Sequence, residues 1–472
     1  MKWKLILCIF SFLAFHQSKA SHLLGGYIHS EWISGNLYEI TVYLFVDSKS
    51  DVGAASGILS FGDGTSLQAP FNSKTKEISE GFNLVSFVVA HTYSGSGTYT
   101  ISYSEEFYNN GIINFQNSNS IPLYFSSSLL VSPVSRTNSS PLLKLTTIQR
   151  GLKGIIQRTN PVAYDADDDS LSYELIIPEQ SNSSPIISYR YPNDSLFYIN
   201  FSRGNQEKNG KPEYSISPIT GEIIWDAPDL LGEYAIAYKI IQWRKLGGDW
   251  QNIGENQVIL IDKIVDADKE IDISTSDLNC YETASQIDKQ LIIENNGSTN
   301  DTLRVFTDLP GLVLNNQIAK ENEFTEFQVN GPFTLSVRLP DSVAFTSFKP
   351  YRVILSISTP YQTVTSSWAF ALGCEELPEN ISPDPIIREE KPNCEEMVIY
   401  PNPSNHRQYL QVCLPSISET NSVVRIIDLK GRKLLEQDIT QSTSQLTLDV
   451  SYLKPGFYFL QVGKMSAKFV VE

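Results

Sequence analysis

Residues Leu37–Asp47 read LYEITVYLFVD. Tyr38, Ile40, Val42, Leu44 and Val46 occupy alternate positions, the spacing that lines up side chains on one face of an extended strand. A helix would need apolar residues three and four apart, and that period is missing here. Further on, ILSFGDGTS (Ile58–Ser66) breaks at Asp63-Gly64, a dipeptide suited to a tight turn. VSFVVAHTYSGSGTYTISYSEE (Val85–Glu106) reads as two strands around Ser94–Gly97. Across all 472 residues, 41% are hydrophobic and 11% aromatic, enough to build cores. Ser, Thr, Asn, Tyr and Ile are abundant and strong helix formers sparse, so the expected class is all-β. The length implies three or four domains.

Residues 1–20 have the form of a secretory signal. Lys2 and Lys4 precede the apolar run Leu5–Phe15, and small residues stand at Ser18 and Ala20. The run is too short to span a bilayer as a helix. Without these residues the chain has 33 Lys+Arg against 53 Asp+Glu. Such a balance repels nucleic acid and anionic membranes, so neither is an expected partner. Residues 397–472 differ, with eight basic and six acidic side chains.

Turn signals and strand patterns continue along the chain. NPVAYDADDDSLSYELIIPE (Asn160–Glu179) reads as strand, turn, strand. YSISPITGEIIWDAPDLLGEYAIAYKIIQWR (Tyr214–Arg244) gives a hairpin at Pro218–Gly221, a core position for Trp225 and a strand from Gly232 to Trp243. KQLIIENNGSTNDTLRVF, FTLSVRLP and YRVILSIST form another set of short alternating strands, read as a sandwich over 267–374. Residues 375–396 combine prolines with many carboxylates, the composition of an extended linker. After them come YPNP (Tyr400–Pro403), DLKGR (Asp428–Arg432) and LKPGFYFL (Leu453–Leu460), within seven or so strands.

Three resemblances rest on these motifs. FGDGT, HTY and GTYTI resemble the polycystic-kidney-disease (PKD) type of immunoglobulin-like domain, with Leu59 where that family usually has tryptophan. Residues 141–266 resemble the cadherin-like or putative-Ig modules of exported Bacteroidota proteins, with Ala166 and Asp168 replacing the usual proline and glycine. Residues 397–472 resemble the type A C-terminal sorting domain of the type IX secretion system. With the signal at 1–20, the sandwich at 267–374 and the linker at 375–396 read from the residues above, they imply Ig-like units at 21–140 and 141–266 and a sorting domain at 397–472. The implied fold is tandem immunoglobulin-like β-sandwiches followed by a small C-terminal β-sandwich. The implied partner of 397–472 is the secretion machinery, with delivery to the cell surface or the medium.

Candidate chemistry concentrates in Asp165, Asp167, Asp168 and Asp169. Carboxylate catalysis needs two groups held across a substrate with one pKa raised by burial. Four carboxylates on a solvent-facing turn supply no such asymmetry. Calcium takes six to eight oxygens in a flexible loop, and Asp165, Asp167 and Asp169 are the candidate ligands. A solvated turn without an ion is the favoured reading, with calcium the open alternative. His22, followed by Gly25-Gly26, has no GDSGG motif to make it part of a protease. His91 is expected to be structural, and Tyr99, Trp225, Trp243 and Trp368 to pack in cores. GxSxG, HExxH, P-loop and GxGxxG motifs are absent.

The exported chain keeps Cys280, Cys374, Cys394 and Cys413, an even number that suggests disulfides. Pairs Cys280–Cys374 and Cys394–Cys413 would each lie within one expected unit. Zinc is disfavoured by the lack of CxxC and the few histidines. The functional expectation is a non-enzymatic, adhesin-like surface protein with a glycan or protein ligand. A structural spacer and a hydrolase with an unrecognised catalytic domain are the alternatives.

Overall fold

The computed structural model describes residues 23–471, apart from 49–55, 70–72, 80, 133–136, 146–148, 269–270, 274–278, 282–287, 296–300, 339–349, 360–361, 373–396, 401–408, 416–420 and 441–444. The leader at 1–20, His22, the linker at 375–396, Cys374, Cys394, Pro401–Pro403 and His406 therefore lie outside the described residues. Among those described, every regular element is a strand or a short 3-10 turn. No helix there is long and apolar enough to cross a membrane.

Leu37–Asp47 forms a strand, and Tyr38, Ile40, Val42 and Leu44 are buried as their alternation implies. Thr41 and Phe45 on the other face are buried as well. The strand lies inside a large sheet between Leu23–Ser34 and Phe82–Thr92. The turn at Asp63-Gly64 joins Ile58–Ser60 to Ser66–Gln68, with Gly62 and Gly64 at φ 83° and 89°.

The expected division between 21–140 and 141–266 is crossed by strand pairing. Asp249–Val265, 17 residues long, pairs with Gly232–Leu246 along its whole length. It also pairs with both Leu23–Ser34 (Gly26 opposite Ile259) and Pro122–Val131 (Gly254 opposite Leu129). Its last residues run parallel to Gln149–Leu152. At about 3.3 Å per residue such a strand is longer than one sandwich requires, so each half serves a different set of neighbours. One continuous core accordingly runs from Leu23 to Ile264. Gly25 and Gly26 permit the close approach of these strands. A Cβ on Gly25 would lie 2.3 Å from the Ile259 carbonyl oxygen, and one on Gly26 would lie 2.4 Å from that of Tyr43.

Residues 271–372 form two five-stranded sheets around a core containing Trp368. Their junction with the preceding unit is bonded. Arg352 donates to the Tyr173 hydroxyl at 2.8 Å, Asn160 donates to the Ser367 hydroxyl, and Ser367 N donates to Glu222. Leu145, Val162, Phe306 and Ile354 pack beside these bonds. The last unit has a three-stranded and a four-stranded sheet. Its Asp428–Arg432 turn is closed by the Asp428 carboxylate, which accepts from the backbone N–H of Lys430 and Arg432, with Gly431 at φ 77°. Cys413 is buried and disulfide-bonded to a partner outside the described residues. The side chain of Cys280 also lies outside them.

Candidate functional site

The aspartates occupy the turn between Ala163–Tyr164 and Ser170–Leu175. Asp168 takes φ 68°, the left-handed conformation for which glycine is the usual choice. The Asp165 carboxylate turns back over its own backbone. Its Oδ1 accepts from the N–H of Asp167 and of Asp169, at 3.0 and 3.1 Å. Its Oδ2 accepts from Gln242 Nε2 at 2.8 Å. Asp169 binds Arg244 through two parallel bonds of 2.6 Å, Nε to Oδ1 and Nη2 to Oδ2. Arg244 Nη1 donates to the Thr137 carbonyl, Gln242 donates to that of Ser139, and Ser139 N donates to Asp167.

The solvent-facing turn expected from the sequence is therefore corrected. Asp165 and Asp169 are only 7% and 6% exposed. Arg244 and Gln242 arrive from a strand far along the chain and cover them, and residues 137–139 close over the top. Burial and the neighbouring Asp169 push Asp165 up to about 7. Burial also raises Asp169, against the pull of Arg244. The cluster works as a clasp, in which one guanidinium and one amide tie the turn to the segment leading into it.

Oxygens of Asp165, Asp167 and Asp169 approach within 4.8 Å of one another, near enough to share one ion. Both oxygens of Asp165 and both of Asp169 already accept hydrogen bonds, and Arg244 already supplies positive charge to Asp169. Calcium would have to compete with that arginine for Asp169. The melting temperature of the exported chain is expected to differ little between chelator and millimolar calcium at matched ionic strength. A clear rise in calcium that disappears in Asp167→Asn would place an ion here.

A cleft borders the clasp, lined by Tyr164, Asp165, Asp169, Leu171, Asp308 and Arg352. Asp308 and Arg352 are themselves paired at 2.9 Å. Two carboxylates beside a cleft with one pKa raised meet part of a hydrolase's needs. Here, however, Asp169 is committed to Arg244 and Asp308 to Arg352.

Among the other expected sites, His91 Nε2 lies 2.8 Å from Asp63 Oδ2 and its ring stacks on Phe61 at 4.0 Å. Hydrogen bonds from Thr65 and then His91 hold Asp63 down at about 2. His29 is held neutral-prone by burial. Trp225 and Trp368 are buried, Trp225 donating to the Tyr198 hydroxyl at 2.7 Å. Trp243 donates to Ser172, and Tyr99 stacks on Tyr93. A carboxylate that sequence reasoning missed is Asp262, near the end of Asp249–Val265, which burial alone pushes up to about 7. Its signal is faint, one acid within VILIDKIV.

The buried acids set a pH dependence. A folded pKa above the unfolded value of about 3.9 means that the folded state holds the proton more tightly. The associated stability is present at low pH and lost as pH rises through about 7 for Asp165 and Asp262. His29 opposes this once pH falls below about 6.5. The melting temperature is therefore expected to rise as pH falls from 8 to 6.5, and less steeply in Asp262→Asn. An equal slope in the variant would refute the assignment.

Fold and last module together define an exported β-sandwich protein carrying an address for passage through the outer membrane. Residues 398–472 match the family described as the secretion system C-terminal sorting domain. The chain is thus exported across the outer membrane to the cell surface or the extracellular space. No curated protein matches it. Among solved structures it is similar to a chimeric titin Z1Z2-Z1Z2 tandem at 10% identity, covering 50% of this chain and 100% of that chain, with TM-score 0.17. Titin domains I67–I69 are 9% identical over 74% of this chain and 99% of that chain, with TM-score 0.15. Drosophila OTK extracellular domains 3–5 are 8% identical over 70% and 96%, with TM-score 0.14.

Proposed function

We propose that the body of the chain is a non-catalytic, adhesin-like binding protein, displayed or released by the type IX secretion system, and that it belongs with the PKD-like and cadherin-like repeat proteins of Bacteroidota. The observation that carries binding is the long stretch between Ser184–Pro185 and Tyr214–Ile216, built of loops and two 3-10 turns. It places Ile187 and Ile199 at 94% and 62% exposure, while nearby aromatics are buried. Loops on a rigid scaffold are where recognition residues concentrate, and the two large apolar side chains this loop leaves in water, Ile187 and Ile199, are its candidate contacts. The test is a glycan and surface-protein array probed with the exported chain. Binding should be lost in Ile187→Ser/Ile199→Ser with the melting temperature unchanged; binding indifferent to both substitutions refutes this patch.

A structural spacer is the second reading. The bonded junction at Arg352, Tyr173, Asn160 and Ser367 favours it, because it joins two units without a swivel. Absence of ligand on the array, with reduced extension of the cell coat in a deletion strain, would support the spacer instead.

A further inference from the structure

Three side-chain amides stitch residues 138–141 to the large sheet, and each spends both of its hydrogens doing so. Asn138 Nδ2 donates to the carbonyls of Leu130 and Ile253, at 3.0 and 3.2 Å. Gln242 Nε2 donates to the Ser139 carbonyl and to Asp165 Oδ2. Asn256 Nδ2 donates to the carbonyls of Ile28 and Pro141, at 2.7 and 3.5 Å. An amide turned about would set its oxygen against two acceptors, so all three oxygens are fixed in place. The three residues are fully buried, and among the described residues no donor reaches Asn138 Oδ1, Gln242 Oε1 or Asn256 Oδ1.

These oxygens gather about Gly254. A Cβ there would lie 2.4 Å from Gln242 Oε1. Gln242 is the cross-strand neighbour of Gly254, Ile253 is the residue before it, and Asn256 stands two residues on, on the same face of the strand. Ser127 lies directly opposite Asn256, and its buried hydroxyl is likewise without a partner.

A buried acceptor left unmet is costly, so three together call for an occupant. Its character follows from what the site offers. Gln157, Tyr214 and Tyr238 are also buried with unmet atoms, but they present donors and acceptors together, a mixture that water meets. About Gly254 every fixed group is an acceptor. Neutral oxygens so arranged suit a monovalent metal ion, whereas calcium draws on carboxylates. The field favours a cation too. Asp165 adjoins the site through Gln242 and Asp167 through Ser139, while Arg244 is bonded to Asp169. We propose that Asn138 Oδ1, Gln242 Oε1, Asn256 Oδ1 and Ser127 Oγ bind a sodium or potassium ion above Gly254, with water completing its shell. The ion holds residues 138–141 on the sheet, and with them the Ser139 contacts that close the clasp.

The test compares melting of the exported chain in sodium, potassium and choline chloride at matched ionic strength. The melting temperature should be several degrees higher in at least one metal salt than in choline, because only the folded chain holds the ion. The salt with the larger shift identifies the ion. The difference should vanish in Gly254→Ala, whose methyl group takes the ion's place beside Gln242, and shrink in Ser127→Ala. A crystal grown with thallium(I), a stand-in for either ion, should show an anomalous peak in contact with the three amide oxygens. If Gly254→Ala does not fold, Ser127→Ala and the crystal decide. Equal melting in all three salts, a difference that the folded variants keep in full, or water alone above Gly254 in the crystal overturns the proposal.

Discussion

Removing residues 397–472 should leave the chain in the periplasm. The signal expected at residues 1–20 would carry it through the inner membrane only, and passage across the outer membrane then falls to the module at 398–472. The last module folds around a core of its own, and among its described residues Cys413 alone also belongs to the core of the large sheet. Its loss therefore removes the address and leaves nearly all of the body's core in place. The expected result is near-complete loss of surface signal with a periplasmic species that still melts cooperatively. The same 76 residues fused to a signal-bearing reporter should carry the reporter out. Unchanged surface delivery of the shortened chain would contradict the family match at 398–472.

A fragment of residues 21–140 should fail to fold, whereas 21–266 should melt cooperatively. The short fragment lacks Asp249–Val265, which lies between Leu23–Ser34 and Pro122–Val131. Both of those strands would be left with a bare inner edge. Val258 and Ile259 would be missing from the core they share with Ile28, Phe125 and Leu129. Each buried side chain of this kind is worth about 2 kcal/mol, against the roughly 5–15 kcal/mol that holds a domain together. The unpaired backbone adds to the loss. A cooperative melt of 21–140 alone would show that the cross-strand is dispensable. Gly26→Val in the longer fragment probes the same junction, since its side chain would meet the Tyr43 carbonyl and the Phe125 ring.

Strand-level features were legible wherever the determinant is local. Alternation fixes the buried face of Leu37–Asp47. The Pro218–Gly221 turn appears as a hairpin between Tyr214–Ile216 and Ile223–Trp225, with Gly221 at φ 75° and its N–H donating to Ser217. Trp225 plugs the core beside Tyr234 and Tyr214. The rest was hidden because its determinants are distant in sequence. Gln242 and Arg244 reach the aspartates only because Ser170–Leu175 pairs with Gly232–Leu246 in one particular register. In the sequence those two residues read as the ordinary polar end of a strand, so nothing revealed that Asp165 and Asp169 are buried. Likewise Asp249–Val265 carries no local mark of the strands that its far edge joins. Gly25-Gly26 was the nearest clue, a pair of residues small enough for two neighbours to approach.

The crossing of Asp249–Val265 into the first sheet has a consequence in time. Synthesis delivers Leu23–Ser34 early, yet one of its lateral neighbours comes far later; the bond from Asn256 to the Ile28 carbonyl spans 228 positions. Until the later strand arrives, the early ones expose an open seam that can pair with any passing chain. Closing so long a loop is entropically costly, and contacts of this range make assembly slow. The newly translocated chain should therefore linger as a sticky, half-built sheet and depend on periplasmic holding chaperones until its middle third has crossed the inner membrane.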